Sequence, residues 1–128
     1  MSATPQSALA GIRVLDLSRV LAGPWATQIL GDFGADIIKV EKPGDGDDTR
    51  SWGPPFLRND DGGHVDAAYY LAANRNKRSV TIDFANPDGA ELVRRLAPHC
   101  QILVENFKVG GLKKYGLDYE SIAAINPS

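Results

Sequence analysis

The chain has 128 residues, of which 43% are hydrophobic and 23% are charged, a composition that is ordinary for a globular domain with a buried core. Its net charge of −2 argues against general nucleic-acid binding, and no stretch approaches the roughly 18 apolar residues that a membrane-spanning helix needs. The single cysteine excludes an intrachain disulfide, so we expect a reducing, cytoplasmic location.

The first third of the chain predicts a strand, a helix and a second strand. Residues 12–18 form a short run rich in branched apolar side chains, which is typical of a buried strand. Residues 22–34 predict a helix, since Pro24 suits its first turn and Gly34 its C-terminal cap. Residues 36–42 predict the second strand. This order predicts a parallel βαβ unit with a right-handed crossover.

The segment after the second predicted strand differs in composition from the strands and the helix before it. Residues 43–66 contain six aspartates against two arginines, with several glycines and prolines. We predict a long acidic loop here, because loops of this length in compact domains are usually functional or disordered. Residues 67–74 predict one or two helical turns. At the other end of the domain, residues 1–8 predict a flexible N-terminus, so the domain itself spans residues 9–128.

The second half repeats the alternation of strands and helices. Residues 79–84 predict a third strand, and residues 86–99 predict a helix with Pro87 in its first turn. Residues 102–107 predict a fourth strand, and two short helical pieces follow within residues 110–127. The whole pattern predicts an α/β, Rossmann-like fold with a mostly parallel sheet and flanking helices.

A dense basic cluster, consisting of Arg75, Lys77 and Arg78, precedes the third strand. If that strand is parallel to the others, the cluster lies at its amino end, whereas ligands of open parallel sheets bind at the carboxyl ends. Two interpretations stay open. The cluster binds the phosphates of an anionic ligand, or it forms ion pairs with acidic side chains, for example at a dimer interface.

The segments that follow the strands predict an anion site at the carboxyl ends. The helix after the first strand offers free main-chain N–H groups, and several lysines follow the second and fourth strands. A dinucleotide site is disfavoured, although Glu41 ends the second strand, because the first turn lacks the G-x-G-x-x-G spacing. His64 and His99 show no metal-ligand spacing, so no metal is expected.

Three segments together resemble the class III CoA-transferases, a family that also contains the α-methylacyl-CoA racemases. They are "LAGIRVLDLSRVLAGPWATQILGDFGADIIKVEKPGDGDDTR", "NRNKRSVTIDFANPDGAELVRRL" and "ILVENFKVGGLKKYGLDYESIAAINP". The resemblance implies a CoA-binding domain, an interlocked homodimer, and acyl-CoA and a small carboxylic acid as substrates. It also implies CoA transfer through an aspartyl intermediate whose catalytic aspartate lies outside these 128 residues, so we expect the chain alone to be inactive.

The resemblance also implies which residues contact coenzyme A, and the basic cluster adds one arginine to that set. The candidate contacts are Val20, Leu21, Ala22, Lys42, Arg78, Ile82, Asp83, Asn106, Phe107, Lys108 and Lys114. Lys42 and Lys114 stand where relatives often carry arginine, which keeps the charge but loses the bidentate fork. Val109 replaces the usual proline of the turn after "ENF".

The interpretation leaves alternatives open. The segment "GDGDDTRSWGPPF" resembles family members that act on succinyl-CoA and dicarboxylic acids. A racemase-type isomerase fragment is the alternative enzyme, and a non-catalytic truncated domain is the alternative outside enzymes. A third possibility is that the chain alone is unstable, because its parallel sheet would lack strands and leave apolar edges exposed.

Overall fold

The computed structural model describes residues 7–127 of the chain. The predicted flexible N-terminus lies mainly outside the described residues. The predicted order of strands and helices is present, with a hairpin inserted after the second strand. The elements are β1 (Arg13–Asp16), α1 (Ala22–Asp32), β2 (Asp36–Glu41), β3 (Phe56–Arg58), β4 (His64–Ala67), α2 (Ala68–Ala73), β5 (Lys77–Thr81), α3 (Pro87–Leu96), β6 (Ile102–Val104) and α4 (Tyr119–Ile125). Short 3-10 helices cover Asp48–Ser51, Ala97–His99 and Lys113–Tyr115.

Four of the strands form one parallel sheet in the order β5-β2-β1-β6. This arrangement confirms the α/β fold with a parallel sheet and flanking helices. The order reverses between β1 and β6, because β2 lies on one side of β1 and the later strand β6 on the other. Ligands of open α/β sheets bind in the crevice at such a reversal, beyond the carboxyl ends of the strands.

The core occupies both faces of this sheet. Leu15 and Leu17 point to one face, where they pack in the same cluster as Val93 of α3. Val14 points to the opposite face and packs with Ile37. These side chains are at most 1% exposed, and each contributes on the order of 1.5–3 kcal/mol through burial.

The start of α3 explains how the helix packs so close to the sheet. The Asn86 side chain accepts a hydrogen bond from the N–H of Asp88 at 3.0 Å, and Pro87 occupies the first helical position. Gly89 faces the turn after β5, and a Cβ atom there would lie 2.0 Å from the carbonyl oxygen of Asp83. Only glycine allows this approach, which fixes the turn that carries Asp83.

The third parallel strand begins and ends earlier than predicted. It spans Lys77–Thr81, so two members of the basic cluster belong to the strand itself. The main-chain pairing with β2 continues as far as a hydrogen bond from the N–H of Ile82 to the carbonyl of Glu41, at 2.9 Å. Beyond it, the Asp83 carboxylate accepts from the N–H of Ala85, which turns the chain away from the sheet.

The prediction of one long loop at residues 43–66 is wrong in part. This segment contains the 3-10 helix Asp48–Ser51 and most of an antiparallel hairpin formed by β3 and β4. A buried carboxylate, Glu41, holds the segment in place. It accepts hydrogen bonds from Arg50 at 2.7 and 2.8 Å and from the Tyr70 hydroxyl at 2.9 Å. The local sequence pattern missed this because it does not show that Glu41 is buried beside Arg50 and Tyr70, which lie 9 and 29 residues further along the chain.

Burial raises the pKa of Glu41, but hydrogen bonds outweigh it and hold the value down at about 2. The donors are the Arg50 guanidinium, the Ser79 hydroxyl, the N–H of Asp47 and the Tyr70 hydroxyl. Arg50 also donates to Asp66 at 2.8 Å and lies over the Tyr70 ring at 3.7 Å. The segment is therefore anchored by charge-assisted hydrogen bonds rather than by an apolar core.

Two further charges lie buried beneath α1. The Asp16 carboxylate is fully buried and accepts from the Thr27 hydroxyl at 2.6 Å and from Lys77 Nζ at 3.1 Å. Lys77 Nζ also donates to the carbonyl of Pro24 and to the Asn74 side chain. Burial lowers the pKa of Lys77 to about 8, against the raising effect of the Asp16 carboxylate. All buried side-chain nitrogens and oxygens within residues 7–127 have hydrogen-bond partners.

Strand β6 lies at an open edge of the sheet. Its three residues are half-buried, and a groove of about 920 Å³ runs beside it toward α4. None of the helices in the described range is long and apolar enough to cross a bilayer.

We predict that replacing Lys77 changes how stability depends on pH. The pKa of Lys77 is about 8 in the folded state and about 10.4 in an unfolded chain. Between these values the folded state binds fewer protons than the unfolded state, so this group makes the free energy of unfolding rise with pH. The rise should be absent in Lys77→Met and present in Lys113→Met, whose lysine is exposed. Urea denaturation at about pH 7.5 and about pH 9.5 measures it, and parallel profiles for wild type and Lys77→Met would contradict it.

We also predict an acid-sensitive contribution from Glu41. Its folded-state pKa of about 2 lies below the ordinary value of about 4.3, so its stabilisation is complete above pH 4.3 and is lost as the pH falls toward 2. Glu41→Gln should therefore lose less stability than wild type between about pH 5 and about pH 3. Glu91→Gln, which alters an exposed carboxylate, serves as the control and should follow wild type. Equal acid profiles for Glu41→Gln and wild type would rule out this role.

Candidate functional site

A groove of about 610 Å³ lies at the carboxyl edge of the parallel sheet. The segments that follow β1, β2, β5 and β6 all line it, as the strand order requires. Seven of the eleven predicted contacts line this groove, namely Lys42, Ile82, Asp83, Asn106, Phe107, Lys108 and Lys114. They come from three separate stretches of sequence, and the parallel sheet brings them together.

The turn after β1 forms the wall at the point where the strand order reverses. Arg19 lines the groove, and Val20, Leu21 and Ala22 follow it into the start of α1 without lining the groove themselves. Gly23 lets this start pack tightly, since a Cβ atom there would lie 2.3 Å from the Ser18 Cβ. The predicted contacts in this turn therefore lie beside the groove, at its rim.

Asn106 connects the turns that follow β1 and β6. Its side-chain oxygen accepts from the N–H of Arg19 at 2.9 Å, and its side-chain nitrogen donates to the carbonyl of Arg19 at 2.7 Å. The side chain thus replaces a main-chain pairing between two turns 87 residues apart. Asn106 was predicted as a ligand contact, and the structure assigns it this bridging role as well.

Val20 has an unusual main-chain conformation. Its φ angle is +69°, in the left-handed region that β-branched residues rarely adopt. Such a conformation costs on the order of 1–3 kcal/mol and persists only where the surroundings impose it. Here the N–H of Val20 points at the Asp47 carboxylate, with distances of 3.3 and 3.4 Å to its two oxygens.

Asp47 is held in turn by a buried lysine. Lys39 Nζ lies 2.9 Å from the Asp47 carboxylate, and both side chains are 1% exposed. Lys39 also donates to the carbonyl of Ser18 at 3.0 Å. Burial raises the pKa of Asp47, but the Lys39 ammonium and the N–H and hydroxyl of Thr49 outweigh it and lower the value. The carboxylate therefore stays ionised and fixed in position.

Aromatic side chains form the apolar floor of the groove. Phe84 packs edge-on against Phe107 at 5.8 Å and against Tyr115 at 5.6 Å between ring centroids. Two cations lie over these rings, Arg19 at 4.5 Å from the Phe107 centroid and Lys114 at 4.7 Å from the Tyr115 centroid. The floor offers an apolar surface directly beneath positive charge.

Lysines surround this floor. Lys42, Lys108 and Lys114 are exposed, and Lys42 Nζ lies 3.1 Å from Asp48. A rim of exposed cations above an aromatic floor suits a ligand that carries both anionic groups and an apolar arm. The turn after Phe107 closes through a hydrogen bond from the N–H of Gly111 to the carbonyl of Lys108 at 2.8 Å, although Val109 stands in place of the expected proline.

The basic cluster lies at the other end of the sheet. Arg75 forms a two-point ion pair with Asp32, with distances of 2.6 and 3.0 Å, and Lys77 pairs with Asp16 as described above. Arg78 forms a two-point pair with Asp36 at 2.7 and 2.9 Å. The structure thus favours the ion-pair interpretation, with partners inside the chain rather than at a dimer interface.

Arg78 is therefore separated from the other candidate contacts. It lies in β5 opposite Ile38, toward the amino ends of the parallel strands. Burial raises the pKa of its partner Asp36, but hydrogen bonds from Arg13 and Arg78 outweigh this and lower it. The sequence left both interpretations of the cluster open, because a dense run of cations gives no sign of acids that lie more than 40 residues away.

Several residues that line the groove were not among the predicted contacts, and they include Arg19, Lys39, Asp47, Phe84 and Tyr115. A lysine inside an otherwise apolar strand was the one available signal, because Lys39 interrupts the run at residues 36–42. A charge in such a run needs a buried partner. No group of three potential metal ligands occurs within the described part of the chain.

Comparison with known proteins identifies the family to which the sequence is similar. A model of CoA-transferase family III matches residues 9–128. The succinate–glutarate CoA-transferase of Agrobacterium fabrum is 60% identical over 119 residues, which are 93% of this chain and 30% of that protein. The succinyl-CoA:glutarate CoA-transferase of Mus musculus is 51% identical over 119 residues, which are 93% of this chain and 26% of that protein.

The fold is also found in a solved structure. A CAIB/BAIF family protein from Brucella suis superposes with a TM-score of 0.88 at 56% sequence identity, covering 95% of this chain and 32% of that protein. The chain thus spans about a third or less of the length of the proteins that it matches. Because the family model covers nearly all of the sequence, the chain belongs to CoA-transferase family III.

Proposed function

We propose that this chain forms the coenzyme A-binding part of an acyl-CoA:carboxylate CoA-transferase. One observation carries the proposal. The groove at the carboxyl edge gathers Lys42, Lys108 and Lys114 around an aromatic floor, at the point of the sheet where ligands of this architecture bind. Coenzyme A has the matching chemistry, with a 3′-phosphate and a pyrophosphate at one end and a long, largely neutral pantetheine arm.

The groove suggests how the ligand lies. The phosphates bind the lysine rim, where each ammonium group supplies charge-assisted hydrogen bonds. The pantetheine arm follows the turn that contains Val20, which leads from the groove toward the start of α1. The main-chain groups of this turn are already fixed by Asn106 and Asp47, so binding requires little further ordering.

The proposal gives these residues binding and orienting roles and assigns no nucleophile among them. The buried carboxylates Asp16 and Asp47 are ion-paired to lysines and are not available to attack a thioester. The nucleophilic aspartate that the resemblance implies is therefore neither of these two residues, and the expectation that this chain alone does not transfer CoA still comes from the resemblance. The interlocked homodimer and the cytoplasmic location also remain expectations from the resemblance.

The relatives favour a transferase over a racemase. Both curated relatives described above carry the name of a CoA-transferase, and both names pair a succinyl or succinate group with glutarate. We therefore propose a dicarboxylic acid and its CoA thioester as the substrates, in agreement with the resemblance of the "GDGDDTRSWGPPF" segment. A non-catalytic CoA-binding role is the alternative if the intact protein binds CoA without transferring it.

Neighbouring lysines provide a matched test of the groove. Lys114 lines the groove, whereas Lys113 lines the separate cavity beside β6. We expect Lys114→Ala to weaken CoA binding about fivefold through loss of one phosphate contact, and Lys113→Ala to leave it unchanged. Isothermal titration of the intact natural protein measures both, and the Lys114→Ala effect should shrink at high salt.

Dephospho-CoA, which lacks the 3′-phosphate, extends the same test. If Lys114 binds that phosphate, the Lys114→Ala effect should disappear with dephospho-CoA, and if it binds the pyrophosphate the effect should persist. Equal losses for Lys113→Ala and Lys114→Ala would indicate a general charge effect and would count against the groove. No detectable binding of CoA to wild type at millimolar concentration would overturn the proposed function.

A further inference from the structure

The 18–20 turn, which joins β1 to α1, is fixed by side chains from other segments. Lys39 Nζ donates to the carbonyl of Ser18, and the Asp47 carboxylate accepts from the N–H of Val20. Between these two groups, Asn106 bonds both main-chain groups of Arg19. The conformation of the turn is therefore imposed from outside rather than by its own main-chain hydrogen bonds.

The turn needs this support because Val20 lies in the left-handed region, with φ of +69°. A β-branched residue released from its surroundings would leave that region. The main-chain N–H of Val20 is bound only loosely, at 3.3 and 3.4 Å from the Asp47 oxygens. Holding it there depends on the carboxylate itself being immobile.

Asp47 has several constraints on its position. Lys39 binds one carboxylate oxygen at 2.9 Å, and the N–H and hydroxyl of Thr49 bind the other at 3.0 and 2.8 Å. The main-chain N–H of Asp47 donates to Glu41 at 2.8 Å. Because Lys39 and Asp47 are both almost completely buried, water does not screen their attraction.

We propose that Lys39 and Asp47 act as a positioning pair for the acyl-CoA site. They hold the 18–20 turn, and the start of α1 beyond it, in the conformation to which the ligand binds. This inference rests on the proposed function, since it concerns the same groove. Without the pair, only a fraction of the molecules would hold the turn in the binding conformation. The apparent affinity for the ligand would then be reduced to that fraction of its full value.

A double-mutant cycle between positions 47 and 20 tests this role. In the intact natural protein, Asp47→Asn should raise the Kd for CoA about tenfold, because the turn is no longer held. Val20→Gly removes the penalty of the left-handed conformation, since glycine adopts it freely. In a protein that already carries Val20→Gly, Asp47→Asn should therefore raise the Kd only about twofold. A purely structural role of Asp47 would give the same factor in both backgrounds.

Asp36→Asn is the matched control. It makes the same chemical change in a carboxylate that forms two ion pairs at the amino end of the sheet, with Arg13 and Arg78. It should leave the Kd unchanged even if stability falls. A normal Kd for Asp47→Asn, or equal losses with and without Val20→Gly, would overturn the inference while the proposed function stands. Absence of CoA binding by wild type would overturn both.

A measurement on wild type keeps the inference testable if Asp47→Asn does not fold. The N–H of Val20 lies outside any helix or strand, and amides in such turns usually exchange quickly with solvent. If Asp47 holds it, its hydrogen exchange in the protein without ligand should be slowed more than about tenfold relative to an unstructured peptide. Exchange at the unstructured rate would show that the turn is not held and would overturn the inference.

Discussion

The pairing of buried charges beneath α1 is the constraint on which the rest of the structure depends. Asp16, Lys39 and Lys77 occupy positions on one face of the sheet that would otherwise carry apolar side chains. A buried charge without a partner costs several kcal/mol, so each of them requires an opposite charge brought in by another segment. Strand β5 supplies Lys77 to Asp16, and the segment after β2 supplies Asp47 to Lys39. The sheet, α1 and the acidic segment therefore have to assemble together.

This constraint separates the two ends of the sheet. At the amino end, arginines form ion pairs with aspartates within the chain, as in Arg78 with Asp36. At the carboxyl end, exposed lysines surround an aromatic floor, and of these Lys42 pairs with Asp48. Cations at the two ends of the sheet thus have different surroundings in the folded chain. The difference lies in which acidic side chains the fold places beside them.

The carboxyl end shows how one residue serves both architecture and site. Asn106 lines the groove, yet its amide already joins the turns after β1 and β6. Val20 similarly lies at the rim in a conformation that other side chains impose. A site built in this way is ordered before its ligand arrives, which reduces the entropy lost on binding.

The sequence by itself determined the order of the strands and helices of the parallel sheet, though not the β3–β4 hairpin, and it determined the family. These follow from local signals, such as the apolar run at β1 or Pro87 at the start of α3, which act over a few residues. Only the tertiary structure decided which charges meet. Lys77 pairs with Asp16, which lies 61 residues away in the sequence, and Arg78 pairs with Asp36, which lies 42 residues away. Such pairings depend on strand order and register, which local patterns do not encode, so the groove and its supporting ion pairs emerged only in the folded chain.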